Sequence, residues 1–204
     1  MDAEASDDDQ SIEAWFAARS TLLEDRNHPN HWFNRASDLR ASAGAVWIGM
    51  EADRVSAERL NLGSGFSMGV ACTPVYYMLC GLALELIMKA RLVQLGYTDK
   101  QFGHHKLEKL VDQLQIVIQE EERRLLRFYE ASMVWAGRYP LPRNATEQQV
   151  LDFWRLAGDV LTEAVPEITG IELRRGNDAT SWENFHALWK KYAALFDLDE
   201  NRKS

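Results

Sequence analysis

Residues 76–114 read YYMLCGLALELIMKARLVQLGYTDKQFGHHKLEKLVDQL, and this stretch decides the fold. It begins as an uncharged apolar run and becomes an amphipathic helix carrying Glu85 and Lys89. Leu79, Leu82, Ala83, Leu86, Ala90 and Val93 recur at helical spacing and mark one apolar stripe. Gly96 is a natural stop, because a residue without Cβ enters the left-handed region most readily. A short loop closes on Gly103-His104-His105, and Leu107, Leu110 and Leu114 open a second helix at once.

Upstream, residues 60–84 contain no charged side chain. Asn61, Gly63, Ser64, Gly65, Ser67, Gly69, Thr73 and Pro74 interrupt that run and make it a poor hydrocarbon-spanning segment, so a core or interface helix is expected, with no membrane partner. The pattern predicts a hinge over 61–65 and a helix over about 66–96, kinked at Pro74. A helix over about 31–59 precedes it. The segment 25–30, DRNHPN, breaks the chain, and Ile12, Trp15, Phe16, Arg19, Leu22 and Leu23 mark a first helix over 11–24. Residues 1–10 read as a disordered acidic tail, acidic where a secretory signal would be basic.

Downstream, helices are predicted over about 106–115 and 119–136, the latter with Glu120 and Arg124 as an i,i+4 pair. Pro140 and Pro142 end it. Thr146-Glu147-Gln148-Gln149 is a capping box that starts a helix to about residue 164. A long loop over 165–179 includes a short extended piece at 171–173. Thr180-Ser181-Trp182-Glu183 reads as a second capping box, opening a final helix to about residue 196, before a tail over 199–204. The fold class is therefore all-α: one antiparallel helical bundle over 11–198, without repeats.

Composition agrees. A chain of 204 residues with 46% hydrophobic content buries a sizeable core as one domain, and it has only 12 Gly and 5 Pro. A net charge of −8 argues against broad, non-specific nucleic-acid binding, which needs a basic surface to displace counterions. A local basic patch is compatible with it. Cys72 and Cys80 sit eight positions apart in a helix, about 12 Å along the axis, too far for a disulfide. Two buried thiols in a reducing cytoplasm are expected.

The Glu/Lys helix followed by Gly103-His104-His105-Lys106-Leu107 resembles the HEPN family of small helical domains. In that family the second helix often reads like GLALELIMKARL and a Gly-His-x-x-Leu turn follows. The resemblance covers about residues 66–164, with extra helices at both ends. It implies a dimer, a nucleotidyltransferase or antitoxin as partner, and a setting in toxin–antitoxin or phage-defence systems. Where family members cut RNA they need no metal or cofactor. They use Arg-Asn-x-x-x-His near the start of a late helix: His moves the 2′-hydroxyl proton and Arg stabilises the charge growing on the phosphate.

One literal match, Arg26-Asn27-His28-Pro29-Asn30-His31, precedes the second helix instead of opening a late one. A polar turn capping the helix at His31 explains it better. At the late position Arg143 and Asn144 match the first two places, but Gln148 stands where the His belongs. Gln hydrogen-bonds without exchanging a proton near neutral pH. Arg138 and Arg143 flank a helix N-terminus, where an anion is favoured, so they and the pair His104 and His105 are the ligand-binding candidates. The blander alternatives are a surface turn whose arginines pair with acidic neighbours, and a histidine pair in which one ring caps the helix at Lys106 and the other is solvated. Two adjacent histidines without nearby Cys make a weak metal site, and no metal is expected. Trp15, Trp32, Trp47, Trp135, Trp154, Trp182 and Trp189 are spread over the predicted helices, as core or interface residues would be. The expected function is a HEPN-like protein, non-catalytic or weakly catalytic, that binds nucleotide, RNA or a partner protein. The alternatives are a metal-independent endoribonuclease with an altered site and a structural oligomerisation module.

Overall fold

A computed structural model describes Thr21 and residues 27–165 and 173–198. The first predicted helix, both tails and Arg26 lie outside the described residues. Helix α1 covers Pro29–Glu51 and α2 covers Asp53–Arg59. The long α3 covers Met68–Gln94, and α4 is a single turn at Asp99–Phe102. Helix α5 covers Leu107–Gln113; α6 covers Glu120–Ala131 and runs into a π-helical segment at Ser132–Ala136. Helix α7 covers Glu147–Leu161 and α8 covers Trp182–Ala193. Between the last two, β1 (Thr162–Ala164) pairs antiparallel with β2 (Arg174–Gly176). Among the described residues the fold is all-α apart from this ribbon.

Helix α3 is the axis of the bundle, packed against α1, α2, α5, α6, the π segment and α8. By length and composition it is also long and apolar enough to cross a membrane. Here its fully enclosed residues include Tyr76, Cys80, Ala83, Leu84, Ile87, Met88 and Leu92, so burial extends beyond one face. Of the predicted stripe, Ala83 and Ala90 are buried, whereas Leu79, Leu82, Leu86 and Val93 are half-buried. A central helix is apolar all round, and its own spacing does not single out the covered side. Aromatic rings fill the space around it: Trp47 lies 5.2 Å from Tyr76, and Tyr77 lies 4.9 Å from Phe128.

Two glycines set the α3–α6 approach. A Cβ on Gly81 would lie 2.6 Å from the Tyr129 carbonyl oxygen, and one on Gly137 would lie 2.6 Å from that of Pro74. From Tyr129 to Gly137 the chain therefore runs along α3 from the level of Gly81 to that of Pro74.

Boundaries depart from the sequence reading where local chemistry wins. The helix expected over 31–59 starts at Pro29, because the ring nitrogen Nδ1 of His28 accepts from the Asn30 amide at 3.2 Å, and Pro suits the first helical position. It breaks at Ala52 into α1 and α2. Ser67 caps α3, and Gly96 at φ +83° follows its end as expected. Helix α4 was unforeseen, although Thr98 and Gln101 form a capping box. Ser181, one residue later than expected, caps α8, while the Thr180 hydroxyl donates to the Tyr77 hydroxyl at 3.3 Å. The predicted helix to residue 164 gives way to β1 at Thr162, and the extended piece lies at 174–176. Glu120 pairs with Arg127, and Arg124 pairs with Glu121 at 3.3 Å, in place of the expected Glu120–Arg124 pair.

Candidate functional site

Glu85 and Lys89 are one turn apart on α3 and both are buried, at 2% and 6% exposure. The Lys89 ammonium donates to Glu85 Oε1 at 2.5 Å. The backbone that leaves α4 at Gly103 brings His105 over the same carboxylate, with Nδ1 at 3.0 Å from Oε1 and 3.1 Å from Oε2. The imidazole itself is 67% exposed, so a buried ion pair holds a surface histidine. His104 accepts from the Lys106 amide through Nδ1 at 3.2 Å. Burial, then the nearby Lys89 and Lys109, push the His104 pKa below its ordinary value.

A second carboxylate completes the underside of the turn. Glu130 of α6 accepts from the Leu107 amide at 2.9 Å, which ties the start of α5 to α6. Burial raises the Glu130 pKa, and this hydrogen bond partly opposes the rise. Sequence spacing signals Glu85–Lys89 as a pair; its meeting with His105 depends on how the loop after Gly96 closes, and Glu130 carries no sequence signal at all. The expected division of labour between the histidines holds in part. His104 serves the backbone at Lys106, but His105 is bound to Glu85 and not simply solvated.

The arginine candidates lie elsewhere. Glu85 contacts the histidine turn, whereas Pro74, eleven positions earlier on α3, is where Gly137 approaches. That separation is about 16 Å along the helix. Arg138 and Arg143 are both exposed. Arg138 donates to the Val134 carbonyl at 2.5 Å and lies 5.6 Å from the Tyr139 ring centroid, so the expected acidic partner is replaced by a carbonyl and a ring. Arg143 shares a shallow cavity of about 430 Å³ with Tyr139, Pro140 and Leu141. Asn144 takes a left-handed conformation at φ +55° ahead of the Thr146 cap. Gln148 is exposed and donates to Asp152 at 2.7 Å, and no histidine belongs to this end of α7.

At the early match, Asn27 accepts from the Trp32 ring nitrogen at 3.1 Å, and His31 is exposed on the first turn of α1. His28, not His31, caps the helix. Trp32, Trp47, Trp135, Trp182 and Trp189 are buried or half-buried as expected, but Trp154 is 64% exposed. A further cavity of about 590 Å³ between α6, α7 and α8 has Leu125, Val160 and Leu188 in its lining. Glu122 at its edge is occupied by Lys191 at 2.6 Å and by the Tyr192 hydroxyl at 2.6 Å. Among the described residues no group of three or more His, Cys, Asp or Glu side chains is placed to hold a metal ion.

Comparison with family models, with curated proteins and with solved structures finds no match. The functional reading therefore rests on the chain's own chemistry and on the sequence resemblance.

Proposed function

We propose that the chain is a HEPN-like helical protein that binds a nucleotide or RNA through its phosphate and does not cut it by the family's reaction. The observation that carries this reading is the convergence of Glu85, Lys89 and the Gly103–His105 turn, the residues on which the resemblance rests, into one partly exposed polar centre. Gln148 supports the non-catalytic half: its amide is engaged with Asp152 and has no proton to exchange near neutral pH. An acidic chain is compatible with such binding, because fields from distant carboxylates are damped beyond about 8 Å at physiological ionic strength.

The protein works as a homodimer in this reading. Ile48 of α1, Val55 of α2, Leu60, Leu62 and Phe66 of the link, and Val70 of α3 are all exposed, with Val70 at 77%. They fall within the stretch of chain from the end of α1 to the start of α3, and exposed apolar side chains gathered in this way suit an association face. A nucleotidyltransferase or antitoxin partner, and a place in toxin–antitoxin or phage defence, come from the resemblance alone.

Fluorescence anisotropy of a labelled single-stranded RNA, with adenosine 5′-monophosphate as competitor, tests the binding half. Saturable binding relieved by the nucleotide supports it. Absence of binding by RNA and nucleotide alike leaves the oligomerisation module as the account.

A further inference from the structure

Replacing a buried ion pair by apolar residues of similar volume is often neutral or stabilising, so Glu85 and Lys89 need an explanation other than packing. Their side chains are 3% and 7% exposed, and the outward contact of the pair is one imidazole. With Nδ1 held by the carboxylate, that nitrogen carries the ring proton and Nε2 is the free nitrogen of an exposed side chain. His104 is fixed in the opposite sense. Its Nδ1 accepts from the Lys106 amide, so its proton sits on Nε2 as a donor.

The turn thus presents one free imidazole acceptor beside one free imidazole donor. Lys106 and Lys109 are exposed and stand in no ion pair among the described residues. The carboxylates next to them are engaged: Glu108 faces Arg123 at 3.8 Å and Arg127 at 3.9 Å, and Glu130 holds the Leu107 amide. A phosphate group fits this set: its oxygens accept from His104, from the lysines and, once its Nε2 has taken up a proton, from His105. The arginine turn offers less, since Arg138 already donates to Val134 and the Thr146 and Gln149 amides at the start of α7 are paired within their capping box.

We infer that the phosphate of the nucleotide or RNA docks on the Gly103–His105 turn against His104, His105, Lys106 and Lys109, with Glu85 as the positioning residue that fixes the His105 tautomer. This rests on the nucleotide-binding reading above. It assigns the phosphate to the histidine turn and leaves Arg138 and Arg143 outside the site.

The test is nuclear magnetic resonance of the histidine ring nitrogens in the full chain, with binding of adenosine 5′-monophosphate and of a short single-stranded RNA measured alongside. The His105 ring is expected to be protonated on Nδ1, and signals of both turn histidines to move on adding either ligand. His105→Ala with Lys106→Ser, both exposed positions, should weaken binding of either ligand by about tenfold or more. Arg138→Ala with Arg143→Ala should leave it within about twofold. In Glu85→Leu/Lys89→Met, which buries no unpaired charge and leaves no acceptor at position 85, the His105 tautomer preference should be lost and binding should weaken with the fold intact. Binding that responds only to the arginine variant overturns the placement and leaves the nucleotide reading standing. A tautomer unchanged in the Glu85 variant overturns the positioning role. A parent protein that binds neither ligand overturns the placement together with the reading it rests on.

Discussion

The buried pair on α3 is open to a stability cycle whose terms differ in a foreseeable way. Replacing Glu85 by Leu leaves the Lys89 ammonium buried without its carboxylate, 5.8 Å from the centroid of the Phe102 ring. A ring at that distance replaces little of a carboxylate at 2.5 Å. The cost should lie at the upper end for a broken buried pair, about 5 kcal/mol. Replacing Lys89 by Met leaves Glu85 with His105 still at 3.0 Å, so the cost should be nearer the lower end, about 3 kcal/mol. The double variant Glu85→Leu/Lys89→Met removes both charges and should return to within about 1 kcal/mol of the parent. A coupling energy of several kcal/mol follows. Urea unfolding followed by circular dichroism measures all four proteins. In thermal terms each kcal/mol is about 2–4 °C for a domain of this size, so Lys89→Met should melt about 6–12 °C early. Should the parent have only about 5 kcal/mol of stability, Glu85→Leu will be unfolded and the double variant folded, which is the same result in another form. A double variant as unstable as the worse single one, or single variants costing under about 1 kcal/mol, would refute the reasoning, because the pair would then be neither coupled nor desolvated.

Three further expectations follow from other parts of the fold. Gly81→Ala places a Cβ 2.6 Å from the Tyr129 carbonyl oxygen on the neighbouring backbone, so α3 and α6 must separate. A loss of about 1–3 kcal/mol is expected, and a neutral or stabilised variant contradicts the close approach. Burial, reinforced by neighbouring cations, lowers the pKa values of His104 and His186 below the ordinary 6.5. Both rings therefore bind protons more weakly folded than unfolded, and their contribution to stability is lost as pH falls below about 6.5. Glu130, raised above the ordinary 4.5, acts in the opposite sense, favouring the fold as it takes up its proton. Urea midpoints at pH 7.5 and 5.5 should show a smaller drop in His104→Asn/His186→Asn than in the parent, and equal drops contradict the assignment. Light scattering should return twice the chain mass of 23.4 kDa, shifting toward monomer in Val70→Asp. A monomeric parent at high micromolar concentration removes the dimer.

Much of the helical layout was legible in the sequence, because caps and breaks are local. Thr146 with Gln149, Gly96 and the two prolines after Tyr139 act within a few residues of themselves, and their elements follow. What was not legible is set by packing. The π segment at Ser132–Ala136 ends where Gly137 meets the Pro74 carbonyl, a contact between residues far apart in the chain. The apolar stripe on α3 was misplaced because a helix covered on several sides carries no unique periodicity. The site divides in the same way. Glu85–Lys89 is readable from its spacing, and Gly103-His104-His105 is readable as a turn. Their union through His105 needs the path of residues 95–106, and the distance from the turn to Arg138 and Arg143 needs the direction of the chain after α6.

In the proposed function this chain holds a nucleotide or RNA without cleaving it. The most direct measurement incubates the purified protein with single-stranded RNA in chelator, at a concentration where anisotropy shows the RNA bound, and follows its length over hours. A well-placed general base is worth about 10²–10⁴-fold, and Gln148 supplies none, so the RNA is predicted to remain full length. Cleavage by the parent that disappears in Arg143→Ala or in His104→Ala/His105→Ala would contradict the account and make the protein a working nuclease with a rearranged site.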